Sequence, residues 1–193
     1  EAILYKTGAI RKKGRVDHRD TFLDTDATER SRGITIYTKC ANFQIHDRPF
    51  TLIDTPGHTD FSPEMERCLQ VLDYAVLVVN AAEGIQAHTE TIWRLLEQYR
   101  VPVCIFVNKT DREGVDLQGI QRQLQKLFHP ACVEIRRRNG VLSPETIEEI
   151  AVLDEATLKL YMEGCPPEQW DAVLSERTAR RTCFPCFFGS ALQ

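Results

Sequence analysis

Apolar positions along the chain fall into short continuous runs and helical stripes that alternate, which predicts βα units around a mostly parallel sheet. Ala75 to Val79 and Val103 to Val107 are apolar without a break, and a strand of that kind is buried on both faces, as the middle of a parallel sheet requires. Around them, Ile92, Leu95, Leu96 and Tyr99, then Leu117, Ile120, Leu124, Leu127 and Phe128, recur at helical spacing. Residues 34–45 alternate as a strand does, but Ile34, Ile36 and Cys40 share one parity and Ala41, Phe43 and Ile45 the other. That slip predicts a bulge near Cys40 or a strand beginning only there. His46-Asp47-Arg48-Pro49 then turns the chain into Phe50–Ile53 as a hairpin. A helix opening at about Asp60 carries Phe61, Met65, Leu69 and Leu72 on one face.

The remaining segments are less periodic. Residues 1–9 read as the last turns of a helix with Gly8 as its stop. Residues 10–33 are charged and aperiodic, which predicts a mobile loop. Ser143-Pro144 starts a helix, with an N-cap serine and proline at the first helical position, and helical sequence runs on to Gly164. Pro166-Pro167 begins another helix ending near Arg180, and Cys183–Phe188 closes as a last strand. Residues 1–193 thus read as one α/β domain, with a small helical insertion at about 130–182.

Composition narrows the classes. The 193 residues suffice for one domain with a substantial core, and a net charge of −4 excludes bulk electrostatic attraction to nucleic acid. No apolar run is long enough to span a bilayer, and no leader pattern surrounds Glu1, so a cytoplasmic protein without a membrane partner is predicted. Seven cysteines, mostly in apolar context, suit buried reduced thiols. Cys183 and Cys186 form a C-x-x-C without a second pair, and no shared metal is predicted there. Arg11-Lys12-Lys13-Gly14-Arg15 and Arg136-Arg137-Arg138 are predicted to be solvated faces rather than RNA contacts.

Candidate chemistry sits where predicted strands end. Asp54-Thr55-Pro56-Gly57-His58 follows the strand Phe50–Ile53. A strand-end carboxylate followed by a glycine whose bare N–H can approach a ligand is what a phosphate–magnesium site needs. Asp54 can hold magnesium through a water, Gly57 can offer its N–H to a γ-phosphate, and His58 can orient an attacking water as a neutral imidazole or stabilise charge as a cation. Thr35, in Arg32-Gly33-Ile34-Thr35, can add a hydroxyl to the magnesium when its loop closes. Asn108-Lys109-Thr110-Asp111 follows the second apolar run. There Asp111 can accept hydrogen bonds from the N1–H and exocyclic amine of guanine, an edge that adenine lacks. Lys109 can lay its stem against the ring, Asn108 can tie loops together, and the backbone of Ser190-Ala191 can reach guanine O6. These signals together predict a guanine-nucleotide site, yet no G-x-x-x-x-G-K-[ST] phosphate loop occurs in these residues.

The quoted residues resemble the G domain of translational GTPases. Glu29-Arg30-Ser31-Arg32-Gly33-Ile34-Thr35, Asp54 to Phe61 and Asn108 to Asp111 look like the branch of elongation factor G and the tetracycline-resistance ribosomal protection proteins. The protection proteins fit better, on Val71-Leu72-Asp73, Gly84-Ile85-Gln86-Ala87, Tyr161-Met162-x-Gly164 and Phe184-Pro185-x-x-x-Gly189-Ser190-Ala191. The resemblance covers nearly the whole chain. It implies a P-loop α/β domain with a three-layer, mostly parallel sheet that binds GTP or GDP with Mg2+ and hydrolyses GTP on the ribosome. Elongation factor G itself is the alternative within the class, and a non-catalytic G-domain binding module lies outside it. Thr35 and Asp54 would serve magnesium; Gly57, within Asp54-Thr55-Pro56-Gly57-His58, the γ-phosphate; His58 the water, placed with help from ribosomal RNA; and Asn108, Lys109 and Asp111 the guanine. The family's first strand and phosphate loop are expected before Glu1, with that strand central, between the hairpin and Ala75–Val79. The residues given are therefore expected to be a fragment with an uncovered sheet, and strand exchange or a dimer is one way to close it.

Overall fold

The computed structural model describes residues 2–12, 14, 35, 38–57 and 62–191, the first three of the last range by backbone alone. They fall into two compact units, Glu1–Gln70 and Val71–Gln193. Most of the sequence-predicted loop at 10–33, with Arg32 to Ile34, lies outside the described residues, as do His58, Thr59, Asp60 and Phe61.

In the first unit, α1 (Ala2–Lys6) stops at Gly8, whose φ of +75° lets Gly8 N and Ala9 N turn back to the Tyr5 and Leu4 carbonyls. Leu4 is fully buried with Ile10 and Ala41, and Phe43 and Leu52 pack against them. Strands β1 (Lys39–Ile45) and β2 (Arg48–Asp54) form an antiparallel hairpin in unbroken register from Lys39↔Asp54 to Ile45↔Arg48. The parity slip thus marks a strand that begins at Lys39, not a bulge. The turn is tighter than the sequence suggests. His46 and Asp47 alone make it, both with positive φ (47° and 62°), and Arg48 and Pro49 already belong to β2. Helix α2 (Ser62–Leu69) buries Leu69 and half-buries Met65; Leu72, expected on its face, lies beyond its end and is 41% exposed.

The second unit holds a parallel four-stranded sheet in the order β3 (Ala75–Asn80), β4 (Val103–Asn108), β8 (Phe184–Phe188), β5 (Cys132–Glu134). Strictly alternating burial along β4 sets Val103, Ile105 and Val107 on the core face and Cys104, Phe106 and Asn108 on the other. Helices α3 (Ala87–Gln98) and α4 (Leu117–Leu127) contribute Trp93, Leu96, Ile120 and Leu124 to the core. Trp93 stacks on Phe128 at 4.7 Å and meets Phe184 edge-on at 4.9 Å. Trp93 is missing from the expected stripe, which runs one position off through Ile92 and Leu95.

The expectation of a fully buried β3 is corrected. Leu77 and Val79 are buried, but Val76 and Val78 are 67% and 56% exposed. β3 is an edge strand of this sheet, and no described element of its unit covers that face. A continuous apolar run therefore does not mean burial on both sides here.

Between β5 and β8 the chain forms a two-stranded ribbon, β6 (Arg137–Arg138) and β7 (Val141–Leu142), and three helices, none of the short strands having a readable period. Ser143 caps α5 (Pro144–Ala151) by accepting from Thr146 N, with Pro144 at the first turn as expected. The predicted continuous helix to Gly164 is in fact broken: α5 ends at Val152, and Asp154 caps a separate α6 (Glu155–Met162). A 3₁₀ turn (Pro167–Gln169) leads into α7 (Trp170–Ala179). Trp170 is fully buried among Leu142, Ile147, Ile150, Leu174 and Cys183. All three arginines of the Arg136–Arg138 run are in ion pairs, with Glu134, Asp171 and Glu145 respectively. Their charge is met locally.

The cysteines are all free, and burial separates them: Cys132, Cys183 and Cys186 are buried, while Cys40 is exposed, against the expectation of general burial. Burial, with neighbouring thiols, pushes Cys183 up to about 12, which suppresses the reactive thiolate.

Candidate nucleotide site

The second unit builds its polar site where β4 and β8 end. Gly189 N donates to Val107 O at 3.0 Å, carrying the parallel ladder one step past β8, and Thr110 N donates back to Gly189 O at 3.3 Å. Asn108 is half-buried and fastens three segments at once. Its side-chain Oδ1 accepts from Lys109 N at 2.8 Å and from Ala191 N at 3.0 Å, while its main-chain oxygen accepts from Ala81 N at 2.8 Å. Both side-chain partners are backbone N–H donors, so the atom facing them must be the oxygen, and the amide orientation is fixed by chemistry.

Lys109 takes a left-handed conformation with φ of +63°. A non-glycine residue held there carries strain of order 1 kcal/mol, which neighbouring contacts must outweigh. The Asn108 clasp on Lys109 N is such a contact. The turn continues with Arg112 N donating to Lys109 O at 3.3 Å. Lys109 and Thr110 are half-buried and Asp111 is exposed. Of the two N–H groups expected to reach O6, that of Ala191 points at Asn108 Oδ1.

The loop after β3 is braced beside this site. Asn80 Oδ1 accepts from Ala82 N, Asn80 Nδ2 donates to Glu83 Oε1 at 2.7 Å, and Gln86 Nε2 donates to Glu83 Oε2 at 2.7 Å. A cleft of about 280 Å³ opens among Ala81, Gly84, Gly114, Asp116 and Gln123, and its walls include none of Asn108, Lys109 and Asp111. Nothing in the sequence pattern singles out Asn80 or Glu83, since their contacts are side-chain bonds within a loop, whereas Gln86 lies in the quoted Gly84-Ile85-Gln86-Ala87.

The first unit carries the other expected residues. Asp54 ends β2 and is half-buried, Thr55 is half-buried, Pro56 is buried and Gly57 is exposed. A Cβ built on Gly57 would meet nothing within 4 Å, so a ligand oxygen has open approach to its backbone. Thr35 is half-buried. Among the described residues no group of three or more histidine, cysteine, aspartate or glutamate side chains is arranged to hold a metal ion. A magnesium site built from a hydroxyl, one carboxylate and water needs no such group.

A parallel sheet with helices packed on it, its strand-end turns joined by an asparagine clasp, is the α/β architecture to which P-loop domains belong. The family model for the elongation factor Tu GTP binding domain matches residues 1–193, and the chain belongs to that family. It is 39% identical over 212 residues to the oxytetracycline resistance protein of Streptomyces rimosus, covering 100% of the chain and 32% of that protein. Tetracycline resistance protein TetM of Streptomyces lividans is 37% identical over 205 residues, with the same coverage of 100% and 32%. Tetracycline resistance protein TetO of Campylobacter jejuni is 37% identical, over 99% of the chain and 32% of its own length. A crystal structure from Thermus thermophilus superimposes with a TM-score of 0.76 at 25% identity, covering 98% of the chain and 34% of that molecule. The chain thus spans about a third of the length of the curated relatives it matches.

Proposed function

We propose that the chain is the GTP-binding and GTP-hydrolysing part of a cytoplasmic, ribosome-acting protein of the tetracycline-protection type. The observation that carries the reading is the Asn108 clasp, which fastens the Lys109 turn and the Gly189–Ala191 turn into one rigid edge. Such an edge can present a carboxylate and backbone N–H groups to opposite sides of one base. Asp111 accepts from guanine N1–H and the exocyclic amine, and Lys109 covers the ring with its stem. The backbone at Ser190 and Ala191 faces O6, with Ala191 N–H shared between the base and Asn108 Oδ1 as a three-centre bond.

On the phosphate side, Gly57 has the open approach that a γ-phosphate oxygen needs. Thr35 and Asp54 offer the hard oxygen donors that magnesium takes, and Thr55 and Pro56 carry the chain from Asp54 to Gly57. Magnesium supplies neutralisation of charge on the phosphate oxygens. His58 orients the attacking water, and ribosomal RNA places its imidazole. The names of the tetracycline resistance relatives support the biological role.

The test uses the whole gene product with a fluorescent GDP and magnesium, competed by GDP and ADP. Guanine should win by at least about a hundredfold, since adenine leaves the Asp111 carboxylate without its two donors. Asp111→Asn should lose guanine and gain xanthine, whose 2-oxo group accepts from the new amide. Equal competition by ADP would overturn the base assignment. Ribosome-stimulated GTP turnover should collapse in His58→Ala; unchanged turnover would remove His58 from the mechanism.

A further inference from the structure

We propose that Phe106 is a positioning residue for base recognition, holding the Gly189–Ala191 turn at the height where its backbone reads guanine O6. The inference rests on the nucleotide-site reading above and adds a residue that no strand-end motif contains. Phe106 and Asn108 lie on the same face of β4, since Val103, Ile105 and Val107 occupy the other. β8 runs parallel, with Phe106 opposite Phe187 and Val107 opposite Phe188, which brings Gly189 level with Asn108.

At that level the ring tip of Phe106 faces Gly189 across the space that a Cβ there would fill. A Cβ built on Gly189 would rest 3.4 Å from Phe106 Cζ and 3.6 Å from Cε2. No side chain intervenes. Two residues on, Ala191 N donates to Asn108 Oδ1. The turn is therefore bounded at its start by the Gly189 ladder bonds and the Phe106 ring, and held at its end by the Asn108 amide. The ladder bonds of Gly189 leave it little freedom in the sheet plane, so the ring governs displacement perpendicular to the sheet. Phe106 sits beside Val78 and Phe187 on an exposed face, with 56% and 36% of those side chains in solvent. With little surrounding packing, loss of the ring lets the turn move.

Guanine offers two recognition edges that separate this role from general structure. O6 faces the turn that Phe106 supports. The exocyclic amine faces Asp111, which belongs to the other turn. Replacing O6 by sulfur weakens only the first contact, and inosine lacks only the second. Competition with GDP, 6-thio-GDP and IDP on the whole gene product therefore reads each edge alone. In Phe106→Ala the preference for GDP over 6-thio-GDP should fall about fivefold, the worth of one hydrogen bond of ordinary strength. The preference for GDP over IDP should stay within about twofold. Phe106→Leu, which keeps most of the volume, should show the same direction and decides the matter if the alanine variant does not fold. Unchanged preferences in a folded variant would overturn the proposal, as would an equal fall in both. If the unsubstituted protein prefers GDP to neither analogue, the base-site reading itself fails, a different result from either.

Discussion

The turns that end β4 and β8 and the helical segment from Arg136 to Ala179 use polar side chains in opposite ways. At the turns, one amide joins positions 83 residues apart, Asn108 to Ala191. In the helical segment, caps reach three residues: Ser143 to Thr146 and Asp154 to Thr157. Its ion pairs likewise satisfy charge within the segment, as in Arg138 with Glu145 and Arg137 with Asp171. Its core is built on Trp170 and closed by Val133 of β5 and by Cys183, next to β8. The difference teaches that one region is joined across the sheet by a single amide beside a strained Lys109, while the other is joined largely by contacts within itself.

The largest effect that could break this comparison is removal of Trp170. Trp170→Ala should cost about 3–5 kcal/mol of stability, the usual range for a fully buried large aromatic. Thermal and denaturant unfolding would measure it. Where the variant is folded, its GDP affinity should match that of the parent within about twofold. A loss of affinity as large as the loss of stability would show that the helical segment and the base site are one energetic unit.

Asn108→Ala should give the reverse pattern. Two backbone donors, Lys109 N and Ala191 N, lose their acceptor, which costs about 1–3 kcal/mol of stability. GDP affinity should fall by more than about tenfold, because both recognition turns lose their shared anchor. A calorimetric titration beside a melting curve separates the two quantities. Affinity preserved within about twofold would mean that the turns are placed by the Gly189 ladder bonds alone.

How much of this was legible in the sequence follows from the range of the forces. The strands ending at Asn108 and the caps at Ser143 and Pro144 were readable because their determinants lie within a few residues. The phase slip near Cys40 likewise marked the true start of β1. Burial was not local information. Val76 and Val78 carry the same side chains as a central strand, and only the sheet order puts them at an edge. The break at Val152–Asp154 was missed because apolar spacing continues through it, and only the Asp154 cap reveals a new helix. Asn108 was expected to tie loops, yet its partner Ala191 is fixed by the strand order β4–β8, which no spacing encodes. Phe106 sat unremarked inside an apolar run, since a ring that supports a turn looks the same in sequence as a ring that fills a core.

The smallest effect concerns Asp154, a capping residue that also acts beyond its own helix. Asp154 accepts from Thr157 N through Oδ1 at 2.9 Å and from Arg177 Nη1 through Oδ2 at 2.7 Å, joining α6 to α7. The Thr157 amide, with Arg177 adding to it, holds the Asp154 carboxyl below the usual carboxylate range. A depressed folded-state pKa gives stability that is present above the unfolded value, near about 4, and lost as pH falls through the folded value. Asp154→Asn keeps an oxygen for the cap but sets an amide donor against Arg177. It should cost about 1 kcal/mol at neutral pH, kept small by solvent screening. That cost should vanish in acid, where the parent carboxyl is itself protonated. Asp154→Ala also loses the cap, so part of its cost should persist at every pH. Parallel unfolding curves for parent and Asp154→Asn from about pH 7 to below about pH 4 would show the charge to be idle, and would return Asp154 to the purely local role of its neighbours.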